Sequence, residues 1–201
     1  MRRAILMDRD GTISEEVGDV SDVALMRLID GSAEAVRRAN EAGFQTVVVT
    51  NQSGVARGIL TEELVAEAHD RLRELLGEHG ARLDGIYYCP HHPEAGGARY
   101  RRACDCRKPL PGMLHRARDE MGVDLSSAYM IGDSMRDVAA GGAVGAFTIL
   151  VLTGFGREQL ERRSEWSVRP DRVARDLRQA VEWILDRERA TSLGADAARS
   201  A

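Results

Sequence analysis

The sequence predicts an α/β fold, a Rossmann-like parallel sheet with helices on both faces. Two observations carry this expectation. Short apolar, strand-like runs alternate along the chain with helical patterns, and that alternation builds parallel sheets covered on both sides. The chain has 201 residues, 43% hydrophobic and 30% charged, enough for one soluble domain with its own core. Repeats and linkers are absent from the sequence. It therefore divides into a single domain over 1–190 and a small, polar tail over 191–201 that is expected to be mobile.

The elements follow in order. Ala4-Ile5-Leu6-Met7 is the first strand, followed by a Gly/Ser/Glu-rich stretch to about Asp22. A helix runs from about Ser32 to Ala42 and stops at Gly43, a C-cap residue. Thr46–Thr50 is β-branched and reads as a strand. Thr61-Glu62-Glu63 opens a helix that reaches about Leu76, and Gly85–Tyr88 is a short strand. After an irregular excursion over Cys89–Pro109, Pro111 introduces a helix to Met121. Ala128–Ile131 and Phe147–Leu152 are strands, with a short helix from Asp137 to Ala143 between them. Val173 to about Arg189 reads as a terminal helix, with Val173, Leu177, Ala180, Val181, Ile184 and Leu185 on one face.

Charge and composition exclude several function classes. The formal net charge is −4 and no basic stripe alternates with aromatics, so no nucleic-acid partner is expected. No apolar run approaches the roughly 20 residues of a membrane span. The opening Arg-Arg-Ala-Ile-Leu resembles a signal sequence only until Asp8, Arg9 and Asp10 interrupt it. The three cysteines, Cys89, Cys104 and Cys106, lie within 18 residues of each other. An odd, clustered set beside a histidine points to metal in a reducing cytosol rather than to disulfides. The expected setting is cytoplasmic and the expected state a monomer. Of 28 lysines and arginines, 27 are arginine and Lys108 is the single lysine. Arginine-rich coding explains the missing lysines but not the remaining one. A compact ammonium suits a tight pocket that a guanidinium does not.

Four motifs stand at strand ends, where parallel sheets bind ligands. Asp8-Arg9-Asp10-Gly11-Thr12 places two carboxylates at i and i+2, on one side of an extended segment. Such close anions require a cation between them or a shared proton, and Mg²⁺ with oxygen ligands fits. Gly11 permits the sharp turn. A solvated acidic turn is the alternative. Thr50-Asn51-Gln52-Ser53-Gly54 offers a hydroxyl and backbone N–H groups to a phosphoryl oxygen, although alone it would read as a turn. Arg107-Lys108-Pro109 supplies cations. Gly132-Asp133-Ser134-Met135-Arg136-Asp137 offers Asp133 as a third oxygen ligand. In isolation it would read as an N-cap aspartate followed by a first-turn aspartate.

In this order the four motifs resemble the haloacid dehalogenase (HAD) superfamily over roughly Ala4 to Val151. That resemblance implies a phosphatase in which Asp8 attacks phosphorus and Asp10 is the acid and then the base. It implies that Thr50 and Lys108 hold the phosphoryl oxygens, and that Mg²⁺ binds Asp8, the Asp10 carbonyl and Asp133. Many members insert a cap domain. The interval between Thr12 and Thr50 is short, and that between Thr50 and Lys108 already holds a helix, a strand and a loop. No room remains for a cap of about 50 residues or more, so the site is expected to be open.

Cys89-Pro90-His91 and Cys104-Asp105-Cys106 are separated by twelve residues. Three thiolates and an imidazole form a complete tetrahedral set for structural Zn²⁺, with no position left for catalysis. His92 is read as non-ligating, and His69, His79 and His115 as ordinary helical residues. Because Cys106 directly precedes Arg107 and Lys108, zinc here would fix the backbone that presents both cations.

The strings Thr50–Gly58, Cys89–Pro93 and Cys104–Pro109 resemble the D-glycero-D-manno-heptose 1,7-bisphosphate 7-phosphatase family. The substrate implied is a small sugar bisphosphate. The related histidinol-phosphate phosphatases share the zinc loop but usually carry Asp where this chain has Ser53. A promiscuous sugar-phosphate phosphatase, or an inactive zinc-stabilised binding module, are the further alternatives. Substrate contacts are expected from Gly11, Glu16, Asp19, Asn51, Gln52, Ser53 and Arg107, with Arg107 best suited to grip a second phosphate bidentately.

Overall fold

The computed structural model describes residues 2–16, 18 and 23–199. Six strands form one sheet: β1 (Ala4–Met7), β2 (Gln45–Asn51), β3 (Gly85–Cys89), β4 (Tyr129–Gly132), β5 (Phe147–Val151) and β6 (Arg172–Ala174). Their order is β3-β2-β1-β4-β5-β6 and every pairing is parallel. The helices are α1 (Ser32–Glu41), α2 (Glu62–Gly77), α3 (Gly112–Met121), α4 (Met135–Gly142), α5 (Gly156–Glu161) and α6 (Leu177–Arg199).

Period-two alternation divides the apolar residues of the inner strands between two cores. Ile5, Met7, Val48, Ile131, Ile149 and Val151 pack with α1, α2 and α6. Ala4, Leu6, Val47, Val49 and Met130 pack on the opposite face with Met113, Leu114 and Ala117 of α3. The inner strands β1 and β4 are thus buried on both sides, as their unbroken apolar runs require.

Local signals set the helix ends. Thr61 caps α2 by accepting the Leu64 N–H. Gly43, at φ 82°, terminates α1. Ser134 caps α4 in a capping box with Asp137. The expectation of an N-cap aspartate there is replaced by a serine cap, which leaves Asp133 available for other contacts.

Two expectations for the C-terminal third change. Val173 belongs to β6, and the terminal helix starts only at Leu177 and continues to Arg199, past the expected end near Arg189. Leu177, Ala180, Val181, Ile184 and Leu185 form its buried face, as their spacing predicts. The two tryptophans also find partners. Trp183 stacks on Phe147 at 5.0 Å between ring centroids, and the Trp166 indole donates to the Gln159 carbonyl at 2.9 Å.

The chain runs from β1 outward to β3, then returns to place β4 on the other side of β1. This reversal opens a crevice at the carboxyl ends of β1, β2 and β4.

Candidate active site

A cavity of about 320 Å³ lies in that crevice. Asp8 follows β1, Thr50 lies near the end of β2, and Asp133 follows β4. All three line the cavity, together with Asp10, Lys108 and Asp137.

Lys108 is 2% exposed and its ammonium meets three acceptors. They are Asp8 Oδ2 at 2.9 Å, Asp137 Oδ1 at 2.6 Å and the Val49 carbonyl at 2.7 Å. Three N–H donors against three acceptors satisfy the group completely. Burial would pull the lysine down, but Asp137 and Asp8 outweigh it and hold it above its ordinary value. The ammonium is held charged.

The carboxylates outnumber the cations. Burial pushes Asp8 up to about 7, against the pull of Lys108 and with Asp137 and Asp10 adding to the rise. Burial and then Asp8 push Asp133 up to about 8. Two carboxyls this strained are stabilised by a dication in contact with both. Ligand oxygens of Asp8, Asp133 and Asp137 lie within 4.8 Å of one another. Asp137 is already occupied, with one oxygen on Lys108 and the other accepting the Ser134 N–H at 3.1 Å. Asp8 and Asp133 therefore remain as the donors for a small, hard dication.

Glycines allow the carboxylates to be this close. Gly11 has φ 71°, and a Cβ there would lie 2.1 Å from Asp133 Oδ2. A Cβ on Gly132 would lie 2.2 Å from the Asp137 carboxyl carbon. Gly11 thus acts through backbone geometry and does not line the cavity.

Asp10 turns its carboxylate toward Arg9, which is buried. Arg9 Nε and Nη2 donate to its two oxygens at 2.9 and 2.8 Å, and Gln52 Nε2 adds a bond at 2.8 Å. Gln52 also donates to the Thr50 hydroxyl at 3.0 Å. Arg9 was not singled out in the sequence. One arginine among 27 gives no signal, and only its position between the two motif aspartates could have marked it.

Asn51, Ser53 and Glu16 line the cavity. Asn51 also grips the Lys108 backbone from both sides, through its Nδ2 and its Oδ1. Asp19 lies outside the described residues. Arg107 is half-buried and turned toward the cysteine loop, where it donates to the His91 carbonyl at 3.3 Å, and it does not line the cavity. Arg57 and Arg136 do line it, and neither was selected from sequence.

The four expected loop ligands converge. Cys106 Sγ lies 3.2 Å from both Cys89 Sγ and Cys104 Sγ, and Cys89 and Cys104 are 3.5 Å apart. His91 Nδ1 stands 3.3 Å from Cys106 and 3.7 Å from Cys89. Four soft and borderline donors clustered so closely suit a single tetrahedral cation such as Zn²⁺. His92 stays out of the cluster and accepts the Glu94 and Ala95 N–H groups through its Nδ1. Glu62, at the start of α2, holds the loop from outside. It accepts from the Tyr88 and Tyr100 hydroxyls and from Arg99.

Residues 105–180 match the HAD-hydrolase-like family. A D-glycero-beta-D-manno-heptose-1,7-bisphosphate 7-phosphatase of Salmonella typhi is 45% identical over 91% of this chain and 89% of that protein. The enzyme of the same name from Escherichia coli K12 is 41% identical over 89% of this chain and 93% of that protein. Among solved structures, the D,D-heptose 1,7-bisphosphate phosphatase of B. bronchiseptica, complexed with magnesium and phosphate, superposes with a TM-score of 0.81. Its sequence identity is 34%, over 93% of this chain and 99% of that one.

Proposed function

Because the chain belongs to the D-glycero-D-manno-heptose 1,7-bisphosphate 7-phosphatase family of HAD-like hydrolases, we propose that it removes the C7 phosphate of D-glycero-β-D-manno-heptose 1,7-bisphosphate through a phosphoaspartate on Asp8. The β anomer follows the names of the relatives. The observation that carries the chemistry is the contact between Lys108 and Asp8 at 2.9 Å, in a buried group of carboxylates at the sheet's switch point.

In this reading an Asp8 oxygen attacks phosphorus as the bond from phosphorus to the C7 oxygen breaks. Asp10 gives its proton to the departing oxygen. A water then attacks the phosphoaspartate, Asp10 takes the proton, and inorganic phosphate leaves with Asp8 restored. Thr50 and Lys108 hold the phosphoryl oxygens, and the Asp8 contact is the one the ammonium exchanges for them. Asn51, Gln52, Ser53 and Glu16 shape the wall, Gly11 sets the turn that brings Asp10 into place, and Arg107 acts from behind the wall.

Asp8, the Asp10 carbonyl and Asp133 would hold Mg²⁺, which would supply positive charge to the transferring phosphoryl group. The relative solved with magnesium and phosphate supports that identity. Cys89, His91, Cys104 and Cys106 would hold Zn²⁺ in a structural role, since four protein donors leave no open position. Among the described residues no helix is long and apolar enough to cross a membrane. We propose that the chain acts on a small sugar bisphosphate as a cytoplasmic monomer.

The test is phosphate release, with Mg²⁺, from both heptose bisphosphate anomers beside histidinol phosphate and fructose 1,6-bisphosphate. A kcat/KM for the β anomer at least about tenfold above the others, roughly 1.4 kcal/mol, is expected. Preference for histidinol phosphate would leave the chemistry standing and overturn the substrate.

A further inference from the structure

The cavity is graded from floor to rim. Thr50, Lys108, Asp133 and Asp137 on its floor are buried, whereas Arg57, Arg136 and Phe155 at its edge are exposed. The reacting phosphate belongs on the floor with Asp8. A bisphosphate whose esters sit at opposite ends of a sugar brings its other phosphate to the rim, where the two arginines stand.

Arg136 has the stronger position. It occupies the first turn of α4, whose backbone the Ser134–Asp137 capping box fixes. The same Asp137 is ion-paired to Lys108, so one helical turn holds both the floor cation and the rim cation. Among the described residues no carboxylate is paired with Arg136. Arg57 lies on the loop after β2, and that loop is braced from the zinc-ligand side. Gly96, at φ 94°, packs so closely on the Ala56 backbone that a Cβ there would fall 1.9 Å from its carbonyl oxygen. Arg136 and Arg57 line the same cavity and both are exposed, so two guanidinium groups stand at its rim. Such a cluster is stabilised by an anion with several acceptor oxygens, and planar guanidinium forks match a phosphate.

We propose that Arg136, with Arg57, directly contacts the second, non-reacting phosphate of the substrate and so sets a preference for bisphosphates over monophosphates, with Arg107 adding charge from behind the wall. The proposal rests on the phosphatase reading above. It moves the direct grip from Arg107, which donates to the His91 carbonyl and does not line the cavity, to two residues that do.

The experiment measures kcat/KM for the heptose 1,7-bisphosphate and for the corresponding 7-monophosphate in wild type, Arg136→Ala, Arg136→Lys, the Arg57→Ala/Arg136→Ala pair and Arg107→Ala. The readout is the ratio of the two values within each protein, which a general loss of folded enzyme does not move. The ratio should fall at least about tenfold in Arg136→Ala, further in the double variant, and recover in part in Arg136→Lys. A ratio unchanged in Arg136→Ala and the double variant overturns the proposal, most directly if Arg107→Ala alone collapses it. A wild type that turns over both esters equally well also overturns it while leaving the phosphatase intact. A wild type that releases phosphate from neither ester removes the phosphatase reading, and the rim clamp with it.

Discussion

Asn51 holds Lys108 by its backbone. Its Nδ2 donates to the Lys108 carbonyl at 3.0 Å and its Oδ1 accepts the Lys108 N–H at 3.1 Å. The side chain at the end of β2 thus fixes the segment that leaves the cysteine loop. Asn51→Ala removes both bonds, each worth about 1 kcal/mol. If that tether sets the ammonium's place, kcat for the preferred ester should fall by about tenfold or more with KM little changed. Steady-state kinetics check this. A change confined to KM would mean that Asn51 serves the substrate and not the lysine.

Lys108 itself fills a socket with three acceptors, Asp8, Asp137 and the Val49 carbonyl. Lys108→Met leaves two carboxylates facing each other in a buried site, and breaking a buried pair this way costs about 3–5 kcal/mol. The variant should lose activity almost entirely and melt well below wild type. Added Mg²⁺ should recover more of its melting temperature than it adds to wild type. Lys108→Arg should not restore turnover, because a fork cannot place three donors at these positions. Melting curves across a Mg²⁺ series, with and without substrate, decide the matter.

That socket also explains what was legible in the sequence. A lone lysine in an arginine-rich chain pointed to this position, and in the structure its ammonium meets three acceptors. The metal-ligand spacing of Cys89, His91, Cys104 and Cys106 was equally readable, because i, i+2 pairs place donors on one side of an extended segment. Five strands were visible as aliphatic or β-branched runs. β6 was not, since three residues with Arg172 and Val173 exposed leave no alternation, and Val173 falls in phase with the helix behind it. The short helix α5 gave too few residues for a period. The partners of individual polar side chains were out of reach altogether. Which aspartate of Asp133 and Asp137 pairs with the lysine, and that Arg9 rather than solvent holds Asp10, depend on contacts between residues that are not neighbours in a pattern.

His69, on the buried face of α2, predicts an acid-sensitive fold. Burial, with Arg9 and Arg73 adding and Asp10 opposing, depresses it to about 3, and its Nε2 has no hydrogen-bond partner among the described residues. The unfolded chain protonates near 6.5, so the neutral histidine's contribution is full above that pH and is lost as the pH falls toward 3. At pH 5 the loss from this group is about 2 kcal/mol. Urea unfolding at pH 7 and pH 5 should show His69→Leu losing about 2 kcal/mol less than wild type over that interval. Equal losses would mean that His69 does not carry the acid sensitivity.

Glu62 predicts how the cysteine loop would release the proposed Zn²⁺. One carboxylate accepts from Tyr88, Tyr100 and Arg99, and these partners flank the Cys-x-His segment on one side and the Gly96–Gly97 turn on the other. Removing Zn²⁺ with a chelator should cost activity even in saturating Mg²⁺, because Cys106 leads directly into Arg107 and Lys108. The sheet should stay folded, since the core under α1, α2 and α6 holds none of the loop ligands, and only the opposite core, which includes Cys89 with Cys104 and Cys106 packed against it, loses support at one edge. Circular dichroism beside turnover separates those two effects, and full activity in a zinc-free, folded sample would sink the coupling. Glu62→Ala keeps all four metal ligands but frees the outer strap. Zinc should then pass to a chromogenic chelator about tenfold faster, the equivalent of about 1.4 kcal/mol less restraint on the loop. An unchanged transfer rate would mean that the ligands alone hold the loop and that Glu62 serves only the start of α2.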